Sequence, residues 1–317
     1  MTRPSRPTRP IRAVLSDIDG TLVRSDKSLS PAVIEAVAAL RRAGIAFSLA
    51  SARPPRGLAG FVDVLHLGQP APLPGTDSAR TSHLPTPQDT DHTSRSGPGD
   101  TAPRHAPLAA FNGGNIITPD LRVLDALPLP PDVVRDVVAD LQSRGLSPWL
   151  FTEGEWRIVD PTGDHVDTET RTLGYGPTLV DTFTERDFAS VDKILAASRD
   201  HAGLARIEQE IGMAFQGQIS TVRSQQYYLD ITHPDAHKGT AARVIARHLG
   251  IALDEMAVLG DMSNDLPMFD VAGFAIAMGQ AEPDIQQRAN VVTASNDDDG
   301  VAKAIYEWIL PSHHPSE

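Results

Sequence analysis

The chain of 317 residues contains no cysteine. That excludes disulfides and thiolate chemistry and makes a reducing compartment the natural setting. No apolar run approaches the roughly 20 residues that a membrane-crossing helix needs, and the N-terminus lacks the apolar core of a signal peptide. Basic charge is also short: 28 Lys and Arg stand against 41 Asp and Glu, a net charge of −13. Nucleic-acid binding rests on neutralising phosphates, so this balance argues against such a partner. Neither Gly-x-x-x-x-Gly-Lys-Ser/Thr nor Gly-x-Gly-x-x-Gly occurs, which counts against P-loop and dinucleotide sites. The expectation is a cytoplasmic protein with no nucleic-acid or membrane partner, its oligomeric state left open.

What is present is a 40% hydrophobic chain, enough for one large or two ordinary domains. Ile11–Leu15 reads as a buried strand. Ser30 can cap a helix with Pro31 at its first position, and Gly44 ends it. Ile45–Ala50, Leu108–Phe111, Met256–Leu259, Phe274–Ala277 and Val291–Thr293 read as further strands, with a helix over Gly239–Leu249. Strands alternating with helices imply an α/β fold with a doubly wound parallel sheet. Residues 1–10 read as a disordered basic tail. Residues 68–107 hold eight Pro, four Gly and only Leu73 and Leu84 as large apolar side chains, the composition of a flexible insertion. Residues 118–227 differ in texture, with a helix at Asp132–Arg144 and strands near Trp149, Trp156, Ile219 and Tyr227. They read as an inserted α+β module, which splits the parent domain into 11–117 and 228–317.

Chemistry gathers in Ser16-Asp17-Ile18-Asp19-Gly20-Thr21-Leu22, where the first strand ends. At a spacing of two, an extended chain points both carboxylates to one side. Two carboxylates about 4 Å apart repel by about 4 kcal/mol at an effective dielectric near 20. A hard divalent cation with oxygen ligands, Mg²⁺, relieves that. An Asp-rich turn is the plainer alternative. In open parallel sheets ligands bind beyond the carboxyl ends of strands, and polar groups follow strand after strand: Asp17 and Asp19, then Ser51 and Arg53, then Asn112, Gly113 and Gly114, then Asp261, Asn264 and Asp265. Lys238 opens a helix. Four aspartates would need both a cation and Lys238 to sit together. Donors around a cation beside a free carboxylate suit phosphoryl transfer, which needs mostly positioning and charge neutralisation.

At these separations Asp17-Ile18-Asp19-Gly20-Thr21, Ser51, Lys238 and Gly260-Asp261-Met262-Ser263-Asn264-Asp265 resemble the haloacid dehalogenase (HAD) superfamily in its Cof-type phosphatase branch. The resemblance implies a Rossmann-like core with an α+β cap of the C2 type at 118–227. It implies that Asp17 attacks phosphorus, that Asp19 is the acid/base and ligates Mg²⁺ through its carbonyl, and that Ser51 and Lys238 hold the phosphoryl group. Asp17 and Asp261 would bind the metal with Asp265 in or behind its shell. Asn264 would orient the phosphoryl group, and Gly20, Thr21, Arg53, Asn112 and Gly113 complete the expected phosphate and substrate contacts. Ser51 replaces the commoner Thr, and Gln280 stands where relatives often carry Asn.

Plainer readings attach to several residues. Ser51 alone would pass for a helix cap, and Asn112-Gly113-Gly114 for a turn. His233 and His237 are four apart, but Pro234 argues against a zinc-binding helix. Trp149, Trp156 and Tyr175 read as core packing. The resulting expectation is a Mg²⁺-dependent phosphatase acting on a small phosphate ester, a sugar phosphate or phosphorylated cofactor, through an aspartyl-phosphate. A phosphohexomutase-type phosphotransferase and a non-catalytic phosphometabolite sensor remain open.

Overall fold

The computed structural model describes residues 5–68 and 105–310. The greater part of the 68–107 segment therefore lies outside the described residues. From the N-terminus come β1 (Ala13–Ser16), α1 (Pro31–Arg42), β2 (Ala46–Leu49), α2 (Ala59–Val64), β3 (Leu108–Ala110), β4 (Asn115–Ile117) and β5 (Val123–Ala126). A second group follows: α3 (Pro131–Ser143), β6 (Trp149–Thr152), β7 (Glu155–Ile158), α4 (Val166–Leu173), β8 (Thr178–Leu179), α5 (Glu185–Phe188), β9 (Val191–Ala197), α6 (His201–Ala214), β10 (Ser220–Gln225) and β11 (Tyr228–Thr232). The chain then forms α7 (Lys238–Leu249), β12 (Met256–Gly260), α8 (Leu266–Val271), β13 (Phe274–Ala277), α9 (Pro283–Gln286), β14 (Val291–Val292) and α10 (Gly300–Ala304).

The core is a parallel sheet in the order β14-β13-β12-β1-β2. Every residue of β1, β12 and β13 is buried, as expected of strands covered on both faces. In α1, Ser30 accepts a hydrogen bond from the Val33 amide, and Val33, Ala36, Val37 and Leu40 form the buried stripe. The strand order reverses at β1, which puts a crevice beyond its carboxyl end.

The cap is a six-stranded sheet in the order β10-β11-β9-β6-β7-β8. Its two faces differ by the two-residue alternation of a strand. Leu150, Ile194, Ala196, Leu229 and Ile231 pack with α3 and α6. Trp149, Phe151, Leu195 and Tyr228 join the hydrophobic cluster that continues into the core, so Trp149 and Trp156 are fully buried packing residues.

Three sequence readings change. Leu108–Phe111 is expected as another core strand, yet β3 leads the antiparallel sheet β3-β4-β5 and meets the parallel sheet beside the end of β2, through the Ala50–Ala109 bridge and the Ser51 amide donating to the Ala109 carbonyl at 3.0 Å. The module boundary at 118 cuts through that small sheet, and the boundary at 228 cuts through the cap sheet, where Tyr228–Thr232 pairs with both β9 and β10. Composition shifts mark texture, whereas hydrogen-bond partners decide which sheet a strand joins. Residues 5–10 carry no regular structure, but Arg9 pairs with Asp254 at 3.0 Å. Among the described residues no helix is long and apolar enough to cross a membrane.

Candidate active site

Three strand ends and one helix start build the site. Asp17 follows β1, its amide donating to the Leu259 carbonyl at 3.0 Å. Ser51 follows β2, Asp261 follows β12, and Lys238 is the first residue of α7, which His237 caps by accepting from the Thr240 amide. His237 thus serves as a cap, and His233 accepts from the Asp235 amide. Lys238 is fully buried, and its Nζ donates at 2.5 Å to Asp17 Oδ1 and at 2.5 Å to Asp265 Oδ1. Burial alone would lower its pKa, but the charges of Asp17 and Asp265 outweigh that and raise it.

One carboxylate oxygen each from Asp17, Asp261 and Asp265 lies within 4.8 Å of the others. Burial pushes the Asp17 carboxyl well above its ordinary range; Lys238 opposes this, and Asp265 and Asp261 reinforce it. Burial together with the charge of Asp265 lifts Asp261 to about 6. The cluster is thus short of positive charge, and its donors are all hard oxygens, which fits a divalent cation. Asp265 differs from the other two: Oδ1 takes Lys238, and Oδ2 takes the Asp261 and Met262 amides at 2.8 and 3.0 Å. It holds the loop that presents Asp261.

Asp19 stands apart from the cluster. Arg53 forks onto it at 2.7 and 2.8 Å, and Lys27 donates at 2.9 Å. Burial would raise its carboxyl, but these hydrogen bonds and charges prevail and hold it at about 2. Arg53, expected against phosphate, here serves the second aspartate.

Asp17, Asp19, Ser51, Arg53, Asp261 and Asn264 all line one cleft between the strand ends and the cap. Gly20, Thr21 and Gly113 sit behind that surface rather than on it. Gly20 has φ +86°, and a Cβ there would collide with the Asp261 carboxylate. Thr21 is buried and donates to Asp261 Oδ1 at 2.9 Å. Gly113, at φ +106°, lets the β3–β4 turn lie against the His237 carbonyl and Ala241 of α7. Asn112 accepts from Asn264 at 3.2 Å, and Asn264 Oδ1 is buried with no hydrogen-bond partner among the described residues.

Sequence reasoning missed the opposite wall, formed by Lys27 from the core and by Glu169, Lys193, Tyr227 and Tyr228 from the cap. One signal was available: Asp192, Lys193 and Asp230 are charged residues inside the mostly apolar, fully buried strands β9 and β11. Gln280, which had no assigned consequence, donates to the Gly20 carbonyl at 2.5 Å and accepts from the Asn296 amide.

A family model described as haloacid dehalogenase-like hydrolase matches residues 14–72 and 101–305. The chain belongs to this family of hydrolases. Within it, the chain falls among the phosphatases of the Cof-type branch. A Haemophilus influenzae protein named as a presumed phosphatase is 27% identical over 299 residues, 93% of this chain and 97% of its own. The pyridoxal phosphate phosphatase of Escherichia coli is 22% identical over 306 residues, 94% of this chain and 99% of its own. A haloacid dehalogenase-like hydrolase from Bacteroides thetaiotaomicron superposes with a TM-score of 0.73 at 24% identity, covering 93% of this chain and 98% of that one. A HAD subclass IIB sugar phosphatase does so at 0.73 and 22%, covering 93% and 97%.

Proposed function

We propose that the protein is a Mg²⁺-dependent phosphomonoesterase that hydrolyses a small phosphorylated metabolite, a sugar phosphate or phosphorylated cofactor, through an aspartyl-phosphate on Asp17. One juxtaposition carries this reading. The Asp17 carboxylate lies at the floor of the cleft beside Asp261, with Lys238 shared between Asp17 and Asp265.

Asp17 and Asp261 would hold the metal, which supplies charge neutralisation at the phosphoryl oxygens. The Asp17 oxygen not held by Lys238 is the nucleophile, and a covalent intermediate splits one difficult displacement into two. Ser51 donates its hydroxyl to the phosphoryl group, and Lys238 and Asn264 orient it. Asp19, after taking a proton from solvent, gives it to the leaving alkoxide and then takes one back from the attacking water. Arg53 and Lys27 keep Asp19 ionised, the state a base requires; giving a proton to the leaving group first requires that this clamp loosen.

Phosphate release from a panel of esters, with and without Mg²⁺, tests the reading. Asp17→Asn should abolish turnover, and Asp19→Asn should slow it about 10²–10⁴-fold. Undiminished Mg²⁺-dependent release by the Asp17 variant would overturn the assignment. Isomer formation in place of phosphate release would make the enzyme a phosphotransferase.

A further inference from the structure

The cap wall facing Asp17 carries a carboxylate with no cation of its own among the described residues. Glu169, on α4, is 6% exposed and lines the cleft. Its cationic neighbours are engaged elsewhere. Lys193 Nζ lies 3.1 Å from Asp230 Oδ1 and donates to the Ala52 carbonyl at 3.1 Å, while Arg53 is forked onto Asp19. Burial raises the Glu169 carboxyl above its ordinary range, against the charge of Lys193 and a hydrogen bond from the Tyr228 hydroxyl. A carboxylate has about four acceptor sites, and one phenol does not fill them.

The surroundings say what should. Thr172 lies three residues on, on the same side of α4, and Ser224 and Gln225 enter from β10. These are hydroxyl and amide groups, suited to exchanging hydrogen bonds with several hydroxyls at once. Aromatic stacking has little to offer a flat ligand here. Tyr227 is stacked on His165 at 4.3 Å, and Tyr228 packs against Trp149 at 5.8 Å and Tyr227 at 4.6 Å.

We propose that Glu169 is the specificity-determining residue of this site, accepting hydroxyls of a polyhydroxylated leaving group, so that the substrate is a sugar or polyol phosphate rather than a phosphorylated heteroaromatic. The inference rests on the phosphatase reading above. A site built to bond hydroxyls rejects an analogue lacking them, because its buried polar groups are then left unpaired.

The test compares kcat/KM for hexose and hexitol phosphates with that for pyridoxal phosphate and for p-nitrophenyl phosphate. The wild type should favour the hexose or hexitol ester over pyridoxal phosphate by about tenfold or more. Glu169→Gln should lower the ratio of hexitol phosphate to p-nitrophenyl phosphate by about tenfold, and Thr172→Val should lower it less. The ratio compares two substrates on one sample, so a partly unfolded variant does not distort it; Thr172→Val supplies the readout if Glu169→Gln fails to fold. A ratio within about twofold of wild type in the folded variants, or a preference for pyridoxal phosphate, overturns the role of Glu169. Absence of phosphate release from every ester by the wild type fails the phosphatase reading instead.

Discussion

Lys238 carries more of this site than any other single side chain. A fully buried ammonium is tolerable only because Asp17 and Asp265 each lie 2.5 Å from it. Removing one member of a buried charged group costs about 3–5 kcal/mol, because the others lose their compensation. Lys238→Met should therefore lower unfolding free energy by that order in urea titrations, besides ending turnover. Stability equal to wild type would show that the two aspartates do not depend on it. Asp17→Asn should behave differently: Asp265 still neutralises the lysine, so the protein should stay folded while losing activity. A circular dichroism melt beside the phosphate assay separates the two variants.

At the scale of elements, the β3–β4 turn sets where α7 begins. Phe111 and Asn112 already have positive φ, and Gly113 follows at +106°. A side chain at Gly113 would meet the His237 carbonyl one residue before Lys238. Gly113→Ala should destabilise by about 1–3 kcal/mol and lower turnover by shifting the helix that holds the lysine. Normal stability with normal kcat would show that the turn can relax without moving α7. The helix itself was legible, because Gly239–Leu249 has the right length and Gly250 stops it. The turn read equally well as a ligand contact, since nothing local reveals that its glycine faces a helix more than 100 residues on. Strand β11 is legible as a strand beside the inserted module, yet a boundary drawn at 227/228 severs it from the sheet it joins. All five of its residues are buried, so no alternation marks which sheet it joins, and only pairing with β9 and β10 decides.

At the scale of the whole molecule, cap and core meet through polar groups as well as through the shared aromatic cluster. With its side-chain amide turned so that the nitrogen faces β9, as the surrounding donors and acceptors require, Asn115 of β4 donates to Asp192 Oδ1 at 3.1 Å. Burial lifts the Asp192 carboxyl to about 6, and the Asn115 bond only partly opposes it. A raised acid favours the folded state most when protonated. Its contribution is complete below the unfolded value near 4 and is lost as pH rises through about 6. Asp192→Asn should accordingly gain on wild type by about 1–3 kcal/mol between pH 4 and 8. Parallel wild-type and variant melting curves across that range would contradict this.

The sequence by itself determined the alternating core, its helix caps, and the aspartates at 17, 19 and 261 waiting at strand ends. Those features depend on neighbours within a few positions, where periodicity and turn chemistry act. Only the tertiary structure decided that Lys238 would lie between Asp17 and Asp265, that Arg53 would take Asp19, and that Glu169 and Lys193 would face them from the cap. Lys238 and Asp17 are 221 positions apart. Electrostatic partners at such separations are set by where whole sheets pack, and local spacing carries no record of that.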